Sequence, residues 1–222
     1  MRTLLITAAL LGSLHAAQAA APTAISYGQN LIVNGDAEAG TAGWLSYDSY
    51  TFIQAVSYGN NWVKPSEPGP VNRGKSMFTG TGANAVAYQL LDLGQNVAQP
   101  TSYALSGWLG GWASQQDNAA FAVTFLDQYG GLLGSATIGP VTPQDRGNST
   151  GLWLRSSSGQ LPVGTRQLGF WLSMERFGGN DNDGYADNLS FVLNAPAPVP
   201  EPATAVLSLL GLGLLLRRKA QG

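Results

Sequence analysis

The side chains that could do chemistry in this sequence are carboxylates and tryptophans. There is no cysteine, and the single histidine is His15 near the N-terminus. Residues 22–194 therefore have no thiol or imidazole for Ser-His-Asp hydrolysis, general-base catalysis or zinc binding. Paired carboxylates cleave glycosidic bonds when they flank a bound sugar, but Asp181 and Asp183 belong to one polar loop and nothing selects another pair. The sequence predicts a protein that is not an enzyme.

Three tryptophans have the spacing expected of a binding face. Trp108 and Trp112 are four residues apart, so on a strand they share a face with Ser106. Trp171 opposes the apolar face of its own strand and shares a face with Ser173. An indole on the less apolar face of a sheet offers a flat surface to a sugar ring. We expect one sandwich face to hold Trp108, Trp112 and Trp171; the alternative is that they are packing residues under a second layer.

Short alternating strands must position these side chains. Phe121, Val123 and Phe125 alternate with small or polar residues, and the segment around Leu168–Met174 does the same. Residues 58–80 are predicted to be a long surface loop. The predicted strands are 31–33, 50–56, 84–93, 102–112, 119–128, 151–156, 167–174 and 187–193. Such a pattern predicts an all-β fold, an antiparallel β-sandwich over residues 22–194.

Charge excludes one class of partner. Residues 22–194 contain seven Lys or Arg and twelve Asp or Glu, a net charge of −5. Proteins that bind nucleic acid carry a basic footprint on the binding face. We expect no nucleic-acid partner.

Both ends of the predicted sandwich resemble those of jelly-roll carbohydrate-binding modules. The segment NLIVNGDAEAGTAGW, residues 30–44, resembles their opening NLxxNGxFExG-W pattern, with Ala37 in place of phenylalanine. Residues 161–193 resemble their closing strands, in which an aspartate, here Asp187, precedes an alternating apolar strand. The resemblance implies a jelly-roll, galactose-binding-like sandwich with adjacent ends.

The same resemblance implies a structural calcium ion. In such modules the opening glutamate and the closing aspartate often bind one Ca²⁺, and here these residues are Glu38 and Asp187. Calcium takes six to eight oxygen ligands, so backbone carbonyls or water would complete the shell. The alternative is that Asp187 caps a turn and Glu38 is solvated.

The N-terminus has the three parts of a secretory signal. Arg2 supplies the positive charge, residues 4–14 form an apolar centre, and Ala17-Gln18-Ala19 is a small-x-small cleavage site. We expect a signal helix over residues 1–21 that signal peptidase removes after Ala19. The alternatives are cleavage after Ala21 or a retained anchor helix.

The C-terminus combines a Pro/Ala linker, a triplet, an apolar run and a basic end. The linker, residues 195–198, precedes the tail, residues 199–222, whose apolar run over residues 203–216 predicts a short transmembrane helix. At about 21 Å this helix is shorter than the roughly 30 Å hydrocarbon core, but the cations that close it follow the positive-inside rule. The triplet is Pro200, Glu201 and Pro202, and the basic end is Arg217, Arg218 and Lys219.

This tail resembles the PEP-CTERM sorting signal of exported bacterial proteins. The resemblance implies recognition and processing near the triplet by an exosortase, after transient anchoring in the inner membrane. We therefore expect an exported protein of the cell envelope or extracellular matrix, with exopolysaccharide as the expected ligand of its non-catalytic sandwich. The alternatives are a plain membrane anchor for the tail, and for the domain a purely structural surface protein or a carboxylate-based glycoside hydrolase.

Replacing Pro200, Glu201 and Pro202 with alanine should leave export intact and block processing. Export depends on the N-terminal segment, whereas the triplet is the expected recognition element. Mass spectrometry of the envelope form gives the mature C-terminus of each protein. An identical C-terminus in the wild type and the variant would contradict the sorting function.

Overall fold

The computed structural model describes residues 25–47 and 50–195, which form ten strands. The predicted signal helix and sorting tail lie outside the described residues. The described residues, 25–47 and 50–195, include no helical segment with the length and hydropathy of a membrane span. The strands are β1 Leu45–Ser46, β2 Ile53–Ser57, β3 Ser76–Gly80, β4 Asn84–Asp92, β5 Thr101–Gly111, β6 Asn118–Leu126, β7 Leu132–Ile138, β8 Gly151–Leu161, β9 Gln167–Glu175 and β10 Asn182–Leu193.

Two antiparallel five-stranded sheets form a sandwich. The first sheet has the order β2-β3-β10-β5-β8 and the second has the order β1-β4-β9-β6-β7. Without the short β1 and β2, strands β3 to β10 fall into two interleaved sets of four, 3-10-5-8 and 4-9-6-7. This is the strand order of a jelly roll, a double sheet built from two Greek keys. The predicted all-β antiparallel sandwich is confirmed.

The main core lies between the sheets and follows the predicted alternation. Phe121, Val123 and Phe125 of β6 point inward, and so do four residues of β9, namely Leu168, Phe170, Leu172 and Met174. Trp44 of the opening segment meets Phe78 edge to face at 5.7 Å. These rings are buried, and a buried aromatic side chain contributes roughly 3–5 kcal/mol to stability.

Three strand predictions were wrong. Residues 31–33 form no strand, and the chain there makes only an isolated bridge between Asn30 and Val192. Strand β3 lies inside the segment 58–80 that was expected to be loop, and β7 was not predicted. In β3 four of five residues are buried, so no polar alternation marks it in the sequence.

The opening segment is held to β10 by its own side chains. Asn30 donates from Nδ2 to the carbonyl of Leu189, while its Oδ1 accepts the backbone N–H groups of Ile32 and Phe191. Gly35 lies so close to β10 that a Cβ there would collide with the carbonyl oxygen of Leu189. The residues that resemble a family pattern thus have a structural role, since they fix the first segment against the last strand.

A second apolar cluster covers the outer face of the first sheet. Its fully buried members are Val63, Met77, Leu152 and Tyr185. The connection between β2 and β3, residues 58–75, supplies Val63 and two of the partly buried rings that pack on the cluster, Tyr58 and Trp62. This face of the sandwich therefore carries an extra layer, whereas the outer face of the second sheet has none from this connection.

Candidate functional site

The three predicted tryptophans lie on two different outer faces. Trp108 belongs to β5 in the first sheet, with Trp112 just beyond the end of that strand, and Trp171 belongs to β9 in the second sheet. The expectation that one face holds all three is wrong. A strand pattern gives the side on which a residue points, but it does not give the sheet to which the strand belongs.

Four aromatic rings form one surface on the outer face of the second sheet. Tyr88 of β4 and Trp171 of β9 are cross-strand neighbours, and their rings stack at 5.2 Å with an interplanar angle of 23°. Tyr47 meets Trp171 edge to face at 5.1 Å and stacks on Tyr50 at 6.0 Å. Tyr47 and Tyr50 are 43% and 46% exposed, so these rings reach solvent. We call Tyr47, Tyr50, Tyr88 and Trp171 the aromatic surface.

Neighbouring strands fix the orientation of the Trp171 indole. Its Nε1 donates to Oγ1 of Thr124 on β6 at 3.1 Å. A Cβ at Gly169 would stand 2.6 Å from that same hydroxyl oxygen and 3.0 Å from Nε1, so glycine leaves the space that the indole crosses. The indole is thus held between Tyr88 on one side and Thr124 on the other, and its hydrogen-bonding group is already satisfied.

The three tyrosines of this surface were missed by sequence reasoning. Tyr88 lies in a predicted strand, but its partner Trp171 is remote in the chain and only the register of β4 against β9 brings them together. Tyr47 and Tyr50 follow β1 by one and four residues along the chain. The only sequence signal for a binding surface at these two tyrosines was that aromatic residues follow the opening motif, residues 30–44.

Trp108 has a mixed environment. It is partly buried against the second apolar cluster, and it also lines a cleft of about 460 Å³ whose other walls are rich in asparagine. Its direct neighbour on β10 is Asp187. Trp112 packs on the same apolar cluster, and its backbone carbonyl accepts a hydrogen bond from Arg146 at 3.1 Å. Packing therefore holds both indoles, and Trp108 keeps access to the cleft.

Asp187 is a fully buried carboxyl group that accepts two hydrogen bonds. The hydroxyl of Tyr58 donates to Oδ2 at 2.5 Å, and the backbone N–H of Asn188 donates to Oδ1 at 2.7 Å. Burial raises the pKa of Asp187 to about 7; the two hydrogen bonds oppose this shift, and the charges of Asp36 and Glu38 add to it. Tyr58 thus ties the loop that covers the first sheet to the central strand of that sheet.

The charge of Glu38 contributes to the raised pKa of Asp187, after that of Asp36. Oε1 of Glu38 accepts the backbone N–H groups of Lys75 and Ser76 at 2.7 and 2.8 Å. The donor chemistry fits calcium in that the available ligands are oxygens and carry negative charge. Among residues 25–47 and 50–195, no group of three Asp, Glu, His or Cys side chains is arranged for a metal, so carbonyls and water would supply most of the shell.

The acidic residues near the start of β10 have structural partners. Asp117 is fully buried and accepts backbone N–H groups of Phe177 and Gly178 on Oδ1 and of Asp183 on Oδ2. Oδ1 of Asp183 in turn accepts a hydrogen bond from the hydroxyl of Tyr185, with 2.6 Å between the two oxygens. Burial raises the pKa of Asp183. These carboxyl groups hold a turn together instead of flanking an open groove.

The sorting residues and the cleavage site at Ala19 lie outside the described part of the chain, and the tail is identified by comparison. Residues 198–219 match the PEP-CTERM protein-sorting motif, which confirms the predicted sorting signal. The motif implies processing by an exosortase and an exported, envelope-associated protein. A comparison with curated proteins gives no match.

Solved structures similar to the sandwich include carbohydrate-binding modules. One is a family 16 carbohydrate-binding module, with 22% identity, a TM-score of 0.47 and coverage of 73% of this chain and 99% of that chain. Another is the CBM22-1 xylan-binding domain of Paenibacillus barcinonensis Xyn10C, with 17% identity, a TM-score of 0.48 and coverage of 78% and 100%.

A third similar structure belongs to a much larger protein. It is the enzymatically active domain of tailspike protein 4 of bacteriophage CBA120, with 14% identity and a TM-score of 0.49. The match covers 74% of this chain but only 21% of the tailspike chain. Similarities at this level transfer no function, and the jelly-roll assignment rests on the strand order.

Stability should fall as pH rises from about pH 4 toward about pH 7 when a chelator is present. The pKa of Asp187 is about 7 in the folded protein against an ordinary value of 3.8, so in this window the folded state binds a proton that the unfolded state has lost. The free energy of unfolding then decreases by at most about 1.4 kcal/mol per pH unit and levels off above the folded pKa. Asp183, whose pKa is also raised, adds a decrease of the same sign.

Denaturant melts of the wild type and of Asp187→Asn across this range provide the measurement. The asparagine side chain keeps the shape, its oxygen can accept from the N–H of Asn188 and its Nδ2 can donate to the hydroxyl oxygen of Tyr58. It does not titrate, so the slope should be shallower. The lowered pKa values of Asp92 and Asp145 act below about pH 4 and do not interfere. Equal slopes in the two proteins would rule out Asp187 as the titrating group.

Proposed function

We propose that this protein is an exported, exosortase-sorted envelope or matrix protein whose β-sandwich binds exopolysaccharide at the aromatic surface without catalysing a reaction. Transient anchoring in the inner membrane by the apolar run 203–216 and removal of the leader by signal peptidase are parts of this proposal. The observation that carries the proposal is the contiguous group of Tyr47, Tyr50, Tyr88 and Trp171 on an outer face.

Several properties of this surface support a sugar ligand. Pyranose rings present C–H faces that pack on aromatic rings, and their hydroxyls require polar groups at the rim. Trp171 is oriented by Gly169 and Thr124, so little of its freedom is left to lose on binding. The surface is open, and an open face accepts the middle of a long chain as well as its end.

Two alternatives predict different results. A purely structural surface protein would use the aromatic rings only for packing, and would retain no polysaccharide. A glycoside hydrolase needs two carboxyl groups that face each other across a bound sugar. Among the described residues that line the cleft beside Trp108, Asp36 is the one carboxylate. Asp117 and Asp183 lie elsewhere, where they accept hydrogen bonds from backbone N–H groups and from the hydroxyl of Tyr185.

Trp171→Ala and Tyr88→Ala should each abolish retention by polysaccharide and leave the protein folded. These rings are partly exposed, so the loss of ring–ring contacts should cost roughly 0.5–1.5 kcal/mol. Affinity electrophoresis against the exopolysaccharide of the producing cell, dextran and alginate measures retention, and thermal melts measure stability. Retention of both variants at the wild-type level would refute the proposed surface.

Tyr129→Ala is the matched control for loss of an exposed aromatic ring. Tyr129 is 87% exposed in the turn between β6 and β7, away from the aromatic surface. Its removal should change neither retention nor stability. If Trp171→Ala instead costs about 3–5 kcal/mol, Trp171 is a core residue and the structural alternative is favoured.

We further propose that Glu38 and Asp187 hold a structural Ca²⁺. Support comes from the effect of the Glu38 charge on the pKa of Asp187 and from the full burial of Asp187, since a cation would stabilise the charged form of this buried carboxyl group. Such an ion would fix the opening segment against β10. It would supply binding energy to the fold and take no part in a reaction.

Calcium that binds only the folded state should raise stability by about 2.7 kcal/mol at a hundredfold excess over its dissociation constant. The increase should be larger above the pKa of Asp187, about 7, than at acidic pH, because calcium binds the ionised carboxylate. Melts of the wild type and of Asp187→Asn with calcium and with chelator test this. An undiminished calcium response in the variant would show that the ion binds elsewhere.

A further inference from the structure

The cleft beside Trp108 lies on the outer face opposite the aromatic surface. It forms where β10 bulges between Asp187 and Ser190, next to Trp108 of β5. Its volume is about 460 Å³, and its polar walls come from the opening segment, the connection between β2 and β3, and the bulge. We call it the asparagine cleft; the groups that face it and that matter below are Asp36, Asn72, Trp108, Asn188 and Ser190.

The hydrogen bonds show which asparagines of the cleft are engaged by the backbone and which keep donors and acceptors for a ligand. Asn30 and Asn34 also line it, but their amides are engaged by backbone groups of the opening segment and β10. Asn72 and Asn188 bind each other instead, with Nδ2 of Asn188 donating to Oδ1 of Asn72 at 3.2 Å. That single bond leaves the two N–H donors of Asn72 and the carbonyl oxygen of Asn188 for another partner.

These groups match the chemistry of a sugar ring. Neighbouring hydroxyls of a pyranose each donate and accept a hydrogen bond, and an amide pair offers donors and an acceptor side by side. Trp108 supplies an apolar wall and is itself held by the second cluster. Asp36, which lines the cleft, places a negative charge at its edge.

We propose that the asparagine cleft is a second saccharide site that takes a single neutral or amino-sugar residue and rejects a uronic acid. The size of the cleft suits one residue or a chain end, in contrast to the open aromatic surface. The carboxylate of Asp36 repels an anionic sugar and attracts an ammonium group. This site goes beyond the proposed function, because it lies on the other sheet and recognises a different part of a polysaccharide.

Two sites on opposite faces would make the protein bivalent. One copy would hold the middle of one chain at the aromatic surface and an end of another chain in the asparagine cleft. Such an arrangement links polysaccharide chains and raises the overall affinity without any new contact.

The test uses the exported protein produced from the full chain, with a chelator present so that no calcium ion offsets the charge of Asp36, and titrated by NMR with methyl glucoside, glucosamine and glucuronate. Methyl glucoside and glucosamine should bind and glucuronate should not. Asn188→Gly and Asn72→Ala should each weaken binding of methyl glucoside about 3- to 10-fold, since each removes groups of the amide pair. Binding of glucuronate as tight as that of methyl glucoside would refute the proposal.

A matched substitution controls for backbone effects. Asn188 has a φ of 47° and Asn148, in a remote turn, has a φ of 55°, so glycine fits both backbones. Asn148→Gly should bind methyl glucoside like the wild type. Asp36→Asn should gain affinity for glucuronate, and an unchanged rejection would contradict the role given to its charge.

The same titrations separate this site from the aromatic surface. Trp171→Ala should bind methyl glucoside like the wild type, although it should lose polysaccharide retention. If Trp171→Ala loses the monosaccharide while Asn188→Gly keeps it, the sugar binds at the aromatic surface and the cleft is not a site. Trp108→Ala also removes packing from the second cluster, so the two asparagine variants, which do not depend on that packing, decide the question.

Discussion

Burial of β10 on both of its faces is the constraint on which the rest of the structure depends. The strand pairs with β3 on one side and β5 on the other, and Tyr185, Ala186 and Asp187 in succession are fully buried. A strand covered on one face needs one partner sheet, whereas this strand needs a second layer as well. The connection over residues 58–75 provides that layer, and the second apolar cluster is the result.

This covering layer explains why the two outer faces of the sandwich differ. On the first sheet, the hydroxyl of Tyr58 reaches down to Asp187, and Trp108 is partly enclosed beside it. The uncovered remainder of that face is a cleft with polar walls. On the second sheet, Tyr88 and Trp171 have no such layer from the connection, and their rings form an open surface. The loop over residues 58–75 thus explains why the first sheet carries a confined polar cleft and the second sheet a broad aromatic surface.

The sequence predicts the inward side chains well because a strand with one solvated face alternates visibly. Phe121, Val123 and Phe125 show this, and the outward direction of Trp171 follows from the same rule in β9. The alternation disappears in β3, since both of its faces are buried, and so the pattern there predicts a loop instead of a strand. Alternation along a strand gives the side on which each side chain points, but it does not give the residues of other strands that lie beside it.

The aromatic surface could not be found from the sequence for that reason. Its central contact depends on the register that places Tyr88 opposite Trp171, and the cleft depends on the bulge that turns Asn188 outward. The jelly-roll order also sends most successive strands to alternate sheets, so tryptophans on β5 and β9 with similar patterns lie on opposite faces. Register, bulge and sheet assignment are set by packing across the whole domain.

The described domain begins and ends at the same end of β10. The backbone N–H of Gly28 donates to the carbonyl of Leu193 at 2.8 Å, so both ends of the described domain meet at one end of β10. The sorting motif begins at residue 198, shortly after β10 ends at Leu193. Trp171 lies mid-strand in β9, and the cleft lies at the bulge within β10. The point at which the chain continues after β10 therefore lies at an end of the strands, away from the middle of both sheet faces.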